Sequence, residues 1–128
     1  MIQKIYYKKT LIGIKIGGSF PKGSVPQTDP KEPVGILTFK HPKGSVFRAH
    51  YHKPVKRITS HLEECFIVKR GRIKVNLYSP DKIYFKSVYL KAGQAFLTIA
   101  GGHEIKVLEN CEMFEIKNGP YKKDKVFI

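Results

Sequence analysis

The sequence predicts an all-β protein, a sandwich or a barrel, on three observations. Apolar residues alternate with polar ones over many short runs, as they do in a strand with one face in a core. Turn residues, chiefly Gly, Pro, Asn and Asp, interrupt these runs roughly every 8–12 residues, giving about eight or more short strands. Nowhere do apolar residues recur at i, i+3, i+4 and i+7 over the length a helix needs.

Each element can be read in order. Residues 1–16 carry Ile5 and Tyr7, then Leu11, Ile12, Ile14 and Ile16, among lysines; they read as one or two strands broken near Thr10. Pro21, Pro26, Pro30 and Pro33 mark the following stretch as loop, because proline cannot donate to a ladder. Strands are expected at 34–39 and 47–52, the second ended by Pro54. Residues 65–68 and 73–78 are expected to form a hairpin around Arg70-Gly71. Further strands are expected at 83–90, 95–100, 103–108 and 113–117, the last two separated by a turn at Glu109-Asn110, before Gly119-Pro120 and a short tail.

At 128 residues the chain has room for one domain with a real core and not for two. The expected division is N-terminal strands and loop at 1–40, the chemistry-bearing stretch at 41–117 and a tail at 118–128. No apolar run approaches the ~20 residues that span a bilayer. The N-terminus lacks an apolar block followed by a small-residue cleavage site, so the expectation is a cytoplasmic protein with no membrane partner. Cys65 and Cys111 lie far apart and match no CxxC pattern, which fits two reduced thiols. The net charge of +14 raises the question of a polyanionic partner. Yet the lysines are scattered from Lys4 to Lys125 in alternation with apolar residues, and no aromatic RNA-binding signature accompanies them. Nucleic acid is therefore disfavoured, and the charge reads as a lysine-rich solvent face.

Residues with chemical potential concentrate between Gly44 and Gly71. His50 and His52 share a strand parity, so both imidazoles face one way while Ala49 and Tyr51 face the other. Arg48 has the same parity and Arg57 lies in the loop beyond. A guanidinium fork suits a carboxylate or phosphate, so these two are the candidate ligand-binding residues. Glu64 opens the next strand. His103 shares parity with Ile105 and Val107, which turns it to the core side. Three imidazoles and a carboxylate converging from separate strands would make a site for Fe, Mn, Ni, Zn or Co with positions left for substrate. His41 and His61 read as loop histidines. The blander alternative makes Glu63 and Glu64 surface acids and His103 a hydrogen-bonded core residue; Glu115 and Lys117 fit either the cavity or a surface pair.

These residues resemble the two cupin motifs. The first, G-x5-H-x-H-x(3,4)-E-x6-G, is similar to Gly44, His50, His52, Glu64 and Gly71, with eleven residues rather than three or four between His52 and Glu64. The second, G-x5-P-x-G-x2-H-x3-N, is similar to Gly93, Gly101 and His103, with Ile99 and Val107 in place of the proline and asparagine. The resemblance implies a double-stranded β-helix, or jelly-roll, barrel with extra N-terminal strands. It also implies a metal held by His50, His52, Glu64 and His103, and a small polar, anionic or sugar-derived ligand. The RAHYHK and GPYKKDKVF segments are similar to sugar-nucleotide ketoisomerases or epimerases of carbohydrate metabolism. In that alternative no metal is needed: His50 and His52 exchange protons with a keto-sugar, and Arg48 and Arg57 hold the diphosphate. A third alternative is a non-enzymatic ligand-binding or regulatory module. A homodimer is expected, on the ground that residues 1–16 would otherwise leave an apolar strand edge open.

Overall fold

The isoleucine-rich start and the long run after Glu64 supply the two halves of one sheet. A computed structural model describes residues 1–128 and contains eight strands and no helix: β1 Ile2–Tyr7, β2 Thr10–Ile16, β3 Gly23–Pro26, β4 Leu37–Lys40, β5 Glu64–Tyr78, β6 Tyr84–Lys91, β7 Ala95–Thr98 and β8 Gly102–Lys117. There is accordingly no helix long and apolar enough to cross a membrane. Six strands form an antiparallel sheet in the order β1-β2-β7-β5-β6, with β8 on the other side of β5; β3 and β4 form a separate pair. The large sheet curls strongly into half a barrel, a shape compatible with a cupin-like fold.

β5 is the spine. One of its edges pairs with β8 throughout, from Glu64↔Lys117 to Tyr78↔Gly102. Its other edge pairs first with β7 and then with β6. Phe66, Val68, Ile73, Val75 and Leu77 point from β5 into the core, where they meet Ile5 and Ile12 from the first hairpin and Phe96 from β7. Ile12, Ile14 and Ile16 are all buried, so the N-terminal strands close on the chain's own core. The apolar face of residues 1–16 is thus covered within the chain, while the outer edge of β1 pairs with no strand.

Three local expectations need correction. The hairpin expected at 65–68 and 73–78 is one continuous strand of 15 residues, and the segments at 103–108 and 113–117 are likewise one strand of 16. Arg70-Gly71 looks like a reversal because Gly71 has φ of 87°, but here the glycine makes a bulge. The β5–β8 register shifts repeatedly between Val68 and Ile73, and both strands bend together. Secondly, residues 47–52 form no strand: no segment pairs with them, and Phe47 instead stacks on Phe39 of β4 at 5.2 Å. Thirdly, the proline-rich stretch does contain a short strand, β3, whose Pro26 sits at its end.

The bulge has a steric reason for its glycine. A Cβ at Gly71 would run into the carbonyl oxygen of Asn110, on top of the strain of positive φ. Gly71→Ala is therefore expected to destabilise the fold by about 2 kcal/mol or more, read as a lower denaturant midpoint. An unchanged midpoint would show that the bulge relaxes freely.

Both cysteines are free. Burial pushes the Cys65 thiol up to about 11, whereas Cys111 is only half-buried. Maleimide labelling of the native protein should modify Cys111 and leave Cys65 until the chain unfolds. Equal rates at the two would contradict this burial.

Candidate metal centre

Glu63 and Glu64 are consecutive in an extended chain, so their side chains leave in opposite directions. Each has its own surroundings. The Glu63 side chain is fully buried. Its Oε1 accepts a hydrogen bond from the Val34 N–H at 3.2 Å, and its Oε2 lies 3.2 Å from His61 Nε2. Glu32 Oε2 stands 3.9 Å from the same imidazole nitrogen. Donor atoms of Glu32, His61 and Glu63 all lie within 4.8 Å of one another.

Asn118, just past the end of β8, fixes this arrangement. Its Oδ1 accepts from the Glu63 N–H at 2.9 Å, and its amide nitrogen donates to the His61 carbonyl at 3.0 Å and to Thr59 Oγ1 at 3.2 Å. Residues 59–63 are thus held in place by one side chain.

The donor set fits a divalent transition metal. Bonds of about 2.0–2.1 Å put tetrahedral neighbours roughly 3.3 Å apart, within the spread seen here. One imidazole and two carboxylates suit Zn, Fe, Mn, Co or Ni and leave further positions open. Burial, reinforced by a proton shared with Glu32, pushes the Glu63 carboxyl up to about 7, against the pull of Val34 N–H and His61. A cation at this point would favour the ionised form of the Glu63 carboxyl, which burial beside a second acid otherwise disfavours. A cavity of about 360 Å³ adjoins Glu32, with Lys4, Gln27, Asp29 and Lys31 over a floor of Leu11, Ile14 and Ile99.

Glu64 faces a second cluster. Its Oε1 is 3.5 Å from His103 Nε2, its Oε2 is 3.8 Å from Lys117 Nζ, and Lys117 is in turn 3.6 Å from Glu115. The Glu64 N–H donates to Thr98 Oγ1 at 3.0 Å. The His103 ring packs against Phe66, centroid to centroid 5.2 Å, and burial lowers its pKa. Burial, with a hydrogen bond shared with Glu115, raises Glu64 to about 7, while that same bond lowers Glu115. The Glu64–His103 separation has the reach of an ion pair. Burial favours the neutral form of both partners, however, so near neutral pH the contact is better described as a long polar contact.

The structure therefore brings Glu64 and His103 together. His50 and His52 lie elsewhere, on an exposed segment without strand structure. No three of His50, His52, Glu64 and His103 have donors within 4.8 Å of one another. The two rings of the pair do stand close, 5.2 Å apart, and His50 Nδ1–H donates to the Arg48 carbonyl at 2.8 Å. Arg48 and Arg57 are exposed on the same segment, and Arg57 donates to the Val55 carbonyl at 3.1 Å. Without a strand, the shared parity of Arg48, His50 and His52 no longer holds. Glu63, taken in the blander reading as a surface acid, is buried, and the loop residue His61 turns inward to it. The spacing His61-x-Glu63 beside the motif was a usable signal; nothing in the proline-rich stretch singled out Glu32. No protein-family profile, curated protein or solved structure matches the chain.

Proposed function

We propose that this chain is a metal-binding cupin. In this reading Glu32, His61 and Glu63 hold a divalent transition metal, and a small polar, anionic ligand enters the adjoining cavity. The observation that supports it most directly is the convergence of three donors, one fully buried, beside a cavity that carries Lys4 and Lys31 together with Asp29 and Glu32. A bound cation resolves the crowding of the two carboxylates and, by offsetting Glu32, leaves the cavity's two lysines facing Asp29 alone, a balance that suits an anionic group. The metal would supply Lewis acidity at its open positions. Glu32 belongs to both metal cluster and cavity wall, so it links ligand to ion.

The test is metal content of protein purified without chelators, followed by add-back of Zn(II), Mn(II) and Fe(II). Wild type should bind one equivalent, and His61→Ala and Glu63→Gln should lose it. His50→Ala, His52→Ala and His103→Ala should retain it. The opposite pattern would move the metal to the motif residues His50, His52, Glu64 and His103.

One observation favours a second reading. His50 and His52 stand edge to face in the open with no third metal donor, which suits proton transfer on a sugar-nucleotide ketone with Arg48 and Arg57 at its diphosphate. Turnover of such a substrate in the presence of chelator, lost in His50→Asn, would establish it.

A further inference from the structure

Two open surfaces of this chain complement each other. The first is the outer edge of β8. β8 pairs with β5 alone, so along its 16 residues the other side presents backbone donors and acceptors to no strand. Leu108, Phe114 and Ile116 are exposed on it. A long, apolar, unpaired edge is a template for another strand. Four of the chain's ten acids, Glu104, Glu109, Glu112 and Glu115, also lie there, against two lysines, Lys106 and Lys117, the latter 3.6 Å from Glu115. Glu109 and Glu112 approach Arg72 and Arg70 at 3.8 and 3.3 Å, but each keeps half or more of its side chain in solvent.

The second surface is the segment 41–62. It contains five lysines and arginines and no acid. It forms no strand, and Val46, Tyr51, Val55 and Ile58 project into solvent. Its start is held on the small sheet by the stacking of Phe47 on Phe39, and its end is held by Asn118. The stretch between is exposed along its length and forms no ladder with its own β8.

We propose that the middle of this segment pairs along the β8 edge of a second copy, and that the exchange is reciprocal, giving a two-fold homodimer. Charge selects the occupant and the place. At +14, two copies repel over most of their surface, and β8 is where the acids concentrate. The same chain supplies both basic strand and acidic edge, so one two-fold axis satisfies both contacts and the assembly closes. The inference does not rest on the metal reading: it calls on no side chain of Glu32, His61 or Glu63, and of the second cluster only Glu115 and its neighbour Lys117 enter it.

Sedimentation velocity of the full chain at micromolar concentration tests it. Wild type should be a dimer that weakens with added salt. Leu108→Lys/Phe114→Lys on the edge and Lys53→Glu/Lys56→Glu on the segment should each weaken dimerisation at least roughly tenfold while keeping the far-ultraviolet spectrum. Hydrogen exchange should find segment and β8 amides protected in the dimer and released in both variants. A monomeric wild type overturns the proposal; protection of the segment in that monomer would seat it on its own edge instead. A dimer that persists in both variants also overturns it, placing the interface on another face.

Discussion

His61→Ala should lower metal affinity by roughly a hundredfold or more, since even partners behind the ligands are worth about 10–100-fold. His61 is the only nitrogen donor of its cluster and lies within 3.9 Å of both carboxylates. Its loss leaves Glu63 buried beside Glu32 with no imidazole to share. The pH dependence has a definite sign. Glu63 titrates at about 7, above the ordinary 4.5 of a free carboxyl. Without metal, its protonated form is favoured in the fold, so its contribution to stability is present below the unfolded value and is lost as pH rises through 7. A cation needs the ionised form and therefore competes with that proton. Metal should bind more tightly at pH 8 than at pH 5.5, and the thermal stabilisation it confers should grow over the same interval. Titration calorimetry and melting curves at the two pH values read this directly. Equal stabilisation at both would remove Glu63 from the coordination shell.

Phe66→Ala should cost about 3–5 kcal/mol, the range for emptying an aromatic site in a packed core. Phe66 is wholly buried on β5, where that strand has partners on both edges, and pairs with Phe96 across to β7. A collapse of its neighbours would be costly, because β7 and β8 are held by their own ladders. The ring is also the wall against which His103 packs. The variant should therefore bring water to the imidazole and raise its lowered pKa toward the ordinary value. Chemical denaturation measures the first effect and NMR titration of His103 the second. A loss under 1 kcal/mol would mean that the cavity refills.

Alternation and turn chemistry made the all-β character and most strand positions legible. What they missed follows from geometry outside the local window. Glycine at Gly71 supplies the positive φ of both turn and bulge, and only the partner strand decides between them. The 47–52 stretch has strand composition, yet a strand needs a neighbour to accept its ladder, and the chain provides none. For the sites, parity placed His103 on the inward side, and the motif resemblance grouped it with Glu64, which lies 3.5 Å away. It could not find Glu32, because a contact between distant loops leaves no periodic trace. The distinction between Glu63 and Glu64 was within reach: neighbours in an extended chain face opposite ways, so one acid at the mouth of β5 implies a second environment behind it.

The long β5–β8 ladder also sets an order of events. Its Tyr78↔Gly102 end joins residues separated by a short stretch of chain, whereas its Glu64↔Lys117 end must close a much larger loop. Loop entropy favours starting at the first end and zipping toward the second. Glu64, His103's partner, and Asn118, which positions His61 and Glu63, both lie at the late-closing end. Refolding should thus acquire its sheet before either cluster is assembled, with non-local pairing holding the overall rate to milliseconds or slower.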